Sequence, residues 1–577
     1  MAISLRKKIF KHLNPHRIPN SIFVALLGGA LGFAAYCLIF RFNFSVVNPF
    51  NIGWIFNTGG DLGQHYIGWL YYRDSPWHFP NIGQIDGLAY PFGISFVYLD
   101  TIPLFALLFK LLSPILPVHF QYFGLFTLIS YVLQGVMGSL VLSRLTKHKS
   151  LIFLGTVFFV LSPILIGRSF AHTALTAHWL ILLGIYFLIR FKQENSTTRF
   201  RVTTWSILLV LSVLIHAYFV PIVGTIFALS SIQQHRQWKL TLLSITVPVA
   251  LTLLTFALLG GFSVGMKSIG GTGLGLYSHN LLSLFAPLGY SAFVDSLFSQ
   301  SIQWEGLAYL GLGLILLLPI VWFWWLYNRR SQPLQQLREQ IPNLITIKNL
   351  LYTACVVTVI VLALGPTIRF GGWVILDVDL PKIIDRTWGT FRATGRLFWP
   401  IYYLVITGVL AYIFFLTRQW PKHLVVMLIA PFALIQTIDI VRSPAAITKS
   451  EAVKHSLSSR NYDELTGTFV SKYCTKQTIV LVDNSVEPGI KMFHEVPRFI
   501  ADCQPNMTSG YFARFPYNAI MSHADKRRSE LIDGTKTIPA TELYISQSQD
   551  FVREIDQEKY QSVRHSNYWI IQNRVIN

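Results

Sequence analysis

Shortly after the first apolar run the chain reads Gly59-Gly60-Asp61-Leu62-Gly63-Gln64-His65-Tyr66. If Asp61 begins a helix, Asp61 and His65 stand at i and i+4 on one face and direct a carboxylate and an imidazole at a common point. Such a pair can move a proton or hold a divalent ion; the plainer alternative makes Asp61 the cap of the helix and His65 its neighbour. A second set is basic. Lys382, Arg386, Arg392 and Arg396 crowd one segment between two apolar runs, with Arg392 and Arg396 also at i and i+4. Their guanidinium forks suit bidentate contacts to phosphate, although Asp377, Asp379 and Asp385 are near enough to pair with them instead. His172, His178, His216 and His279 lie at or near the ends of apolar runs, and Glu305 heads another. Ionisable groups in such places are functional candidates, and His172 and His216 are the best placed of the histidines. The spacing of His172 and His178 is not a helical metal spacing, and no Cys/His cluster accompanies them, which disfavours a structural metal site. The segment from Gly260 to Gly275 resembles a phosphate loop only superficially, because Met266 stands where lysine is required and no strand precedes it.

The elements that must position these groups are membrane spans. Of 577 residues 52% are apolar and 13% charged, with mean hydropathy +0.47, against about 25% charged in soluble proteins. These figures exclude a disordered chain, a disulfide-rich secreted scaffold and a cytosolic enzyme. Apolar runs predict eleven spans, at about 20–41, 121–143, 150–166, 172–191, 202–217, 218–232, 239–261, 306–327, 349–365, 397–417 and 423–441. With the basic head (Arg6, Lys7, Lys8, Lys11, Arg17) cytoplasmic, the inner loops hold twenty basic residues against Glu194 and Glu339. Acids gather in the outer loops instead, as the positive-inside rule requires, with 366–396 the one basic exception. The stretch Leu99 to Leu116, interrupted by Lys110 and by prolines, reads as an interfacial helix, since a span there would turn the basic loop 144–149 outward. Residues 1–441 carry 30 basic and 12 acidic groups, so the net charge of +20 belongs mainly to the cytoplasmic side of the membrane part and its anionic lipids. No nucleic-acid partner is called for.

Residues 1–441 thus form a membrane module with large outer loops at 42–120, 262–305 and 366–396, and 442–577 form an outer domain. Loops of that length, rich in aromatic residues, are where chemistry is expected. In the tail a helix from Thr448 to Ser458, a strand at 477–482 and later strands at 543–545 and 568–571 predict a small α/β domain. Cys474 and Cys503 either pair across an oxidising compartment or remain two buried thiols. The fold class is therefore mainly α, a polytopic helix bundle with a C-terminal α/β domain.

The layout of one span, a large outer loop with an early acidic residue, an interfacial helix opening at Ile102-Pro103-Leu104, and a return span ending in a basic turn resembles the GT-C superfamily of polytopic glycosyltransferases. The strings Tyr277-Ser278-His279-Asn280-Leu281-Leu282, Trp304-Glu305-Gly306-Leu307-Ala308-Tyr309 and Phe391-Arg392-Ala393-Thr394-Gly395-Arg396 resemble those of an uncharacterised bacterial branch with this layout. The resemblance covers most of 1–441. It implies that Asp61 is the catalytic or metal-coordinating group. Leu62 and Gly63 stand where many members carry a second acid, which leaves open whether Mg or Mn takes part, with Asp61 and His65 as ligands. It further implies an enzyme of the bacterial inner membrane that moves a sugar, with inversion, from a polyprenyl-phosphate donor to a glycan or lipid acceptor of the cell envelope. A lipid-linked sugar already has a good leaving group, so one base and positive charge for the departing phosphate suffice. Substrate contacts are expected from His65, His172, His216, His279, Glu305, Arg386, Arg392 and Arg396. Two rivals stand beside this reading: a ligase or polymerase of the O-antigen type using a lipid-pyrophosphate donor, and a transporter of lipid-linked glycan.

Overall fold

The computed structural model describes residues 21–57, 61–233, 238–263, 273–297, 303–330, 346–454 and 464–574. The basic head, most of the Gly260–Gly275 segment, most of the 329–348 loop and the end of the expected helix at 448–458 lie outside the described residues. Among the described residues nine helices are long and apolar enough to cross a membrane, and Phe219–Ile232 and Leu312–Tyr327 are shorter apolar helices. Each of the eleven apolar runs read from the sequence falls on one of these helices, nine of them long enough to cross, and the chain is a multi-pass membrane protein. Strands in chain order are β1 Gln84–Ile85, β2 Ile94–Ser95, β3 Thr367–Phe370, β4 Trp373–Asp377, β5 Thr478–Leu481, β6 Asn506–Met507, β7 Glu542–Ser546, β8 Tyr560–His565 and β9 Tyr568–Asn573.

The chain divides into two compact units, one of residues 1–47, 123–252 and 271–451, the other of 48–122, 253–270 and 452–577. The large loop at 48–122 belongs to the same unit as the tail.

In the first unit Lys149–Arg168, Thr173–Gln193 and Thr394–Leu416 are the most enclosed of the spans, whereas Lys239–Leu258 and Ile347–Leu364 are covered least. Helix Ser21–Ile39 packs along Phe123–Ser143, and a Cβ on Gly28 would lie 2.2 Å from the Gly135 carbonyl oxygen. In lipid, where apolar surface gains little by being covered, such backbone-to-backbone approach supplies the packing energy. Polar side chains inside the bundle find partners: Tyr403 Oη meets Gln134 Nε2, Ser162 Oγ and His178 Nδ1 at 2.9–3.0 Å. The Asp439 carboxylate accepts from Ser291 Oγ, Ala292 N, Tyr309 Oη and Leu312 N, tying the last span to the start of Leu312–Arg330.

Three local readings need correction. The span expected at 150–166 breaks before Pro163, with Ser162 extended at ψ 126°, because the residue preceding proline is driven out of helical geometry. The span expected from 306 becomes helical at Leu312, after Gly311 at φ 86°. Thr394–Phe398 is a 3-10 turn and the following helix begins at Trp399, so Arg392 and Arg396 do not share one helix face.

In the second unit helix Leu62–Asp74 is buried at every residue from Leu62 to Tyr72, the mark of a helix enclosed on all sides. Its C-terminus is held by cations, as helix ends favour. Lys110 Nζ donates to the Tyr72 and Ser75 carbonyls at 2.6 and 2.7 Å, and Arg73 donates to carbonyls at 113, 116, 117 and 118. Burial pushes the Lys110 ammonium down to about 8 against the pull of Asp74 and Asp86. Residues 99–116 hold only the helix Pro103–Leu111 and a 3-10 turn, too short to span. The tail carries a five-stranded sheet in the order β6-β5-β7-β9-β8, parallel from β6 through β7 and antiparallel beyond. Cys474 and Cys503 are joined as a disulfide.

Candidate functional site

In the first unit the three strings Tyr277–Leu282, Trp304–Tyr309 and Phe391–Arg396 converge. Gly395 N donates to the Tyr277 carbonyl at 3.0 Å, Ser278 Oγ meets Thr394 Oγ1 at 2.9 Å, and His279 Nδ1 meets the Gly306 carbonyl at 3.2 Å. The approach is close enough to demand glycine twice: a Cβ on Gly395 would lie 2.7 Å from Gly306 Cα, and one on Gly306 2.4 Å from the Ser278 carbonyl oxygen.

This packing brings Glu305 between two arginines. Arg396 donates from Nε and a terminal nitrogen to the two Glu305 oxygens at 2.9 and 3.0 Å. Arg168, in the last turn of Pro163–Arg168, reaches the same oxygens at 2.7 and 3.0 Å, and His172 Nε2 lies 3.9 Å from Glu305 Oε1. Exposure is 3% for Glu305, 4% for Arg168, 7% for Arg396 and 9% for His172, so all four charges or potential charges are withdrawn from water. Burial alone would raise the Glu305 carboxyl, but Arg168, Arg396 and His172 outweigh it and hold the group well below the usual carboxylate range. Among the described residues the cluster sets two guanidiniums against the Glu305 carboxylate. Aromatic faces enclose it: Trp304 and Trp399 lie 5.8 and 5.6 Å from the Arg168 guanidinium, and Tyr218 lies 4.7 Å from that of Arg396.

Of the expected substrate residues in this unit, Glu305, Arg396 and His172 come together. His216 stands one step back, its Nδ1 accepting from Tyr218 N at 3.1 Å and so orienting the tyrosine that faces Arg396. His279 stacks on Phe398 at 3.9 Å, and burial pushes it down to about 4 against the pull of the Gly306 carbonyl. Arg392 is exposed over the Tyr277 ring at 5.1 Å, and Arg386 is exposed on the short helix Lys382–Trp388. Neither joins the Glu305 cluster. Arg168 was missed from the sequence, although a guanidinium at the end of an apolar run, next to His172, carried the same signal as the histidines.

In the second unit Asp61 precedes helix Leu62–Asp74, its carbonyl accepting from His65 N at 3.1 Å while its side chain makes no capping hydrogen bond. The carboxylate is therefore not spent on the helix end, and the capping alternative loses its main support. His65, fully buried, lies 3.5 Å from Asp100 Oδ2 through Nε2. Asp100 takes φ 51° and Ile102 φ 56°, a left-handed geometry that is costly for a β-branched residue and tends to persist where function holds it. Asp100, read from sequence merely as one of many outer acids, thus stands against His65. A nitrogen and an oxygen 3.5 Å apart match two neighbouring corners of an ion's coordination shell, so a resident Mg or Mn ion would draw on Asp100 with His65. When bound, it would supply fixed positive charge.

The chain has 10% identity and a TM-score of 0.44 to a solved structure of ArnT from Cupriavidus metallidurans bound to undecaprenyl phosphate, over 96% of this chain and 98% of that one. No curated protein sequence matches it. Residues 29–441, which carry both Asp61 and the Glu305 cluster, match the family described as Domain of unknown function (DUF6311), and the chain belongs to that family.

Proposed function

We propose that the protein is a membrane glycosyltransferase that moves a sugar from a polyprenyl-phosphate donor to a glycan or lipid acceptor on the outer face of a bacterial inner membrane. The observation that carries the reading is the buried Arg168–Glu305–Arg396 cluster with its single excess positive charge. A polyprenyl-phosphoryl sugar is a phosphodiester of charge −1, which the cluster neutralises. As the bond between the anomeric carbon and the phosphate oxygen breaks, the leaving group gains a second negative charge. Fixed guanidiniums in a water-poor site stabilise that charge more in the transition state than in the bound donor. The new bond forms from the acceptor oxygen to the anomeric carbon, and the hydroxyl proton passes to the Asp61 carboxylate. No general acid is needed, because the leaving phosphate is stable unprotonated. Attack opposite the departing phosphate inverts the anomeric centre.

Purified protein in lipid, supplied with a polyprenyl-phosphate hexose and a membrane glycan extract, is expected to release polyprenyl phosphate and extend the glycan. Arg168→Gln and Arg396→Gln should each lose donor binding. Wild-type donor binding by both variants would remove the phosphate site and the reading with it. The guanidinium pair would equally suit a lipid-pyrophosphate donor, so the ligase reading survives if Asp61→Asn keeps full turnover.

A further inference from the structure

The soluble sheet of the second unit has its own crevice. Parallel strands β6 and β7 flank β5, so the chain leaves β5 toward one side and returns on the other, and open sheets bind ligands outside the carboxyl ends of strands at such a reversal. A cavity of about 250 Å³ lies there, lined by Lys491, Gln547, Gln549, Arg564, Asn567 and Trp569. Asp483, at the exit of β5, fixes one wall by accepting from Ser546 Oγ and from the backbone amides of Gln547 and Ser548. The β8–β9 hairpin supplies the other wall. Its register pairs Arg564 with Trp569, which lie 5.6 Å apart, guanidinium to ring, and Ser566 at φ 53° turns the tip so that Asn567 follows. Asn567 Nδ2 reaches Glu495 Oε1 at 3.4 Å. The buried Tyr568 hydroxyl meets the side chains of Glu495 and Gln547.

We infer that this crevice binds an anionic saccharide, a sugar chain bearing a carboxylate or a phosphate. Three side-chain amides offer donors and acceptors to hydroxyls, the half-exposed Trp569 ring offers an apolar face to a pyranose, and Arg564 provides the charge for an acid group, with Lys491, which also faces Glu487 at 3.8 Å, beside it. A nucleotide is the other ligand that strand reversals commonly hold, but the turn after β5 reads Asp483-Asn484-Ser485-Val486-Glu487. It has no glycine to let backbone approach a phosphate. The inference rests on the transferase reading only in suggesting that the bound saccharide is the acceptor.

The test is binding by the full chain in lipid nanodiscs, with tetragalacturonate and glucose 1-phosphate as acidic probes and maltotetraose and ATP as comparators. At least one acidic sugar should bind, and which of the two binds identifies the acid group. Arg564→Gln and Lys491→Gln, both exposed side chains, should weaken it tenfold or more. Arg553→Gln, an exposed residue not lining the crevice, should bind as wild type. No binding of either acidic sugar, equal binding of maltotetraose or ATP, or wild-type binding by both crevice variants would overturn the inference. Because turnover is not measured, an inactive protein that binds keeps the site, and an active one that does not bind loses the site alone.

Discussion

Changing Arg396 to Gln removes two charge-assisted hydrogen bonds to Glu305, at 2.9 and 3.0 Å, and leaves Arg168 and Glu305 as a neutral pair. The donor phosphodiester then meets no excess positive charge. A contact to a charged group is worth about 1.5–3 kcal/mol, so the donor dissociation constant should rise roughly ten- to hundredfold. Glu305→Gln does the reverse, leaving two guanidiniums buried without their carboxylate, and should cost about 3–5 kcal/mol of stability. The double variant leaves Arg168 as the sole charge and restores the original excess. It should therefore be more stable than Glu305→Gln and should bind donor better than Arg396→Gln, a coupling that independent sites would not give. The assay is equilibrium binding of a fluorescent polyprenyl-phosphate hexose to protein in nanodiscs, with thermal unfolding of each variant alongside. Additive losses in the double variant, or unchanged donor affinity in Arg396→Gln, would refute the shared-charge argument.

Asp61→Asn should fold and bind donor yet lower transfer by roughly 10²–10⁴-fold, the usual worth of a general base, and near-normal turnover would reduce Asp61 to a helix-start residue. Asp100→Asn should also impair transfer, because it faces His65, whereas the exposed Asp74→Asn should not; equal rates for the two would remove Asp100 from the site. His279 stays neutral when folded down to about pH 4 but protonates near about 6.5 when unfolded. The folded state thus binds fewer protons between those values, and stability should fall as pH drops through that window, by up to about 1.4 kcal/mol per unit. Thermal unfolding from pH 4.5 to 7.5 should show a flatter dependence for His279→Asn, and an unchanged slope would count against the assignment. Ser296→Cys and Asp550→Cys, placed in a background without Cys37 and Cys355, should react with an impermeant thiol reagent on intact cells; reaction only after permeabilisation would invert the topology on which the outer site depends.

The apolar helices were legible because they need no tertiary information. Each helix must satisfy its backbone internally and be apolar over a fixed length, and eleven runs announce themselves by composition alone. The tail's central strand at 477–482 and the later strands were legible for a similar reason, as apolar, β-branched runs between polar joints. Asp61 stood out through its short spacing to His65, a local property. The pairing of Cys474 with Cys503 remained open, since two cysteines in one domain say nothing of distance until the chain is folded. Likewise Arg386, Arg392 and Arg396 look equivalent along the sequence, but only Arg396 is buried on a carboxylate. What made the difference is Gly395 against Gly306, a backbone approach that carries Arg396 to Glu305 and leaves its neighbours in the open. Arg168 reaches the same carboxylate from 137 positions away, and Asp100 meets His65 through a left-handed loop that no periodicity encodes. Residue type and hydropathy thus determined where the apolar helices run and which reactive side chains the chain carries. Which charges share a site was decided by packing, because attraction between charges depends on distance and burial, and neither is a property of position in the chain.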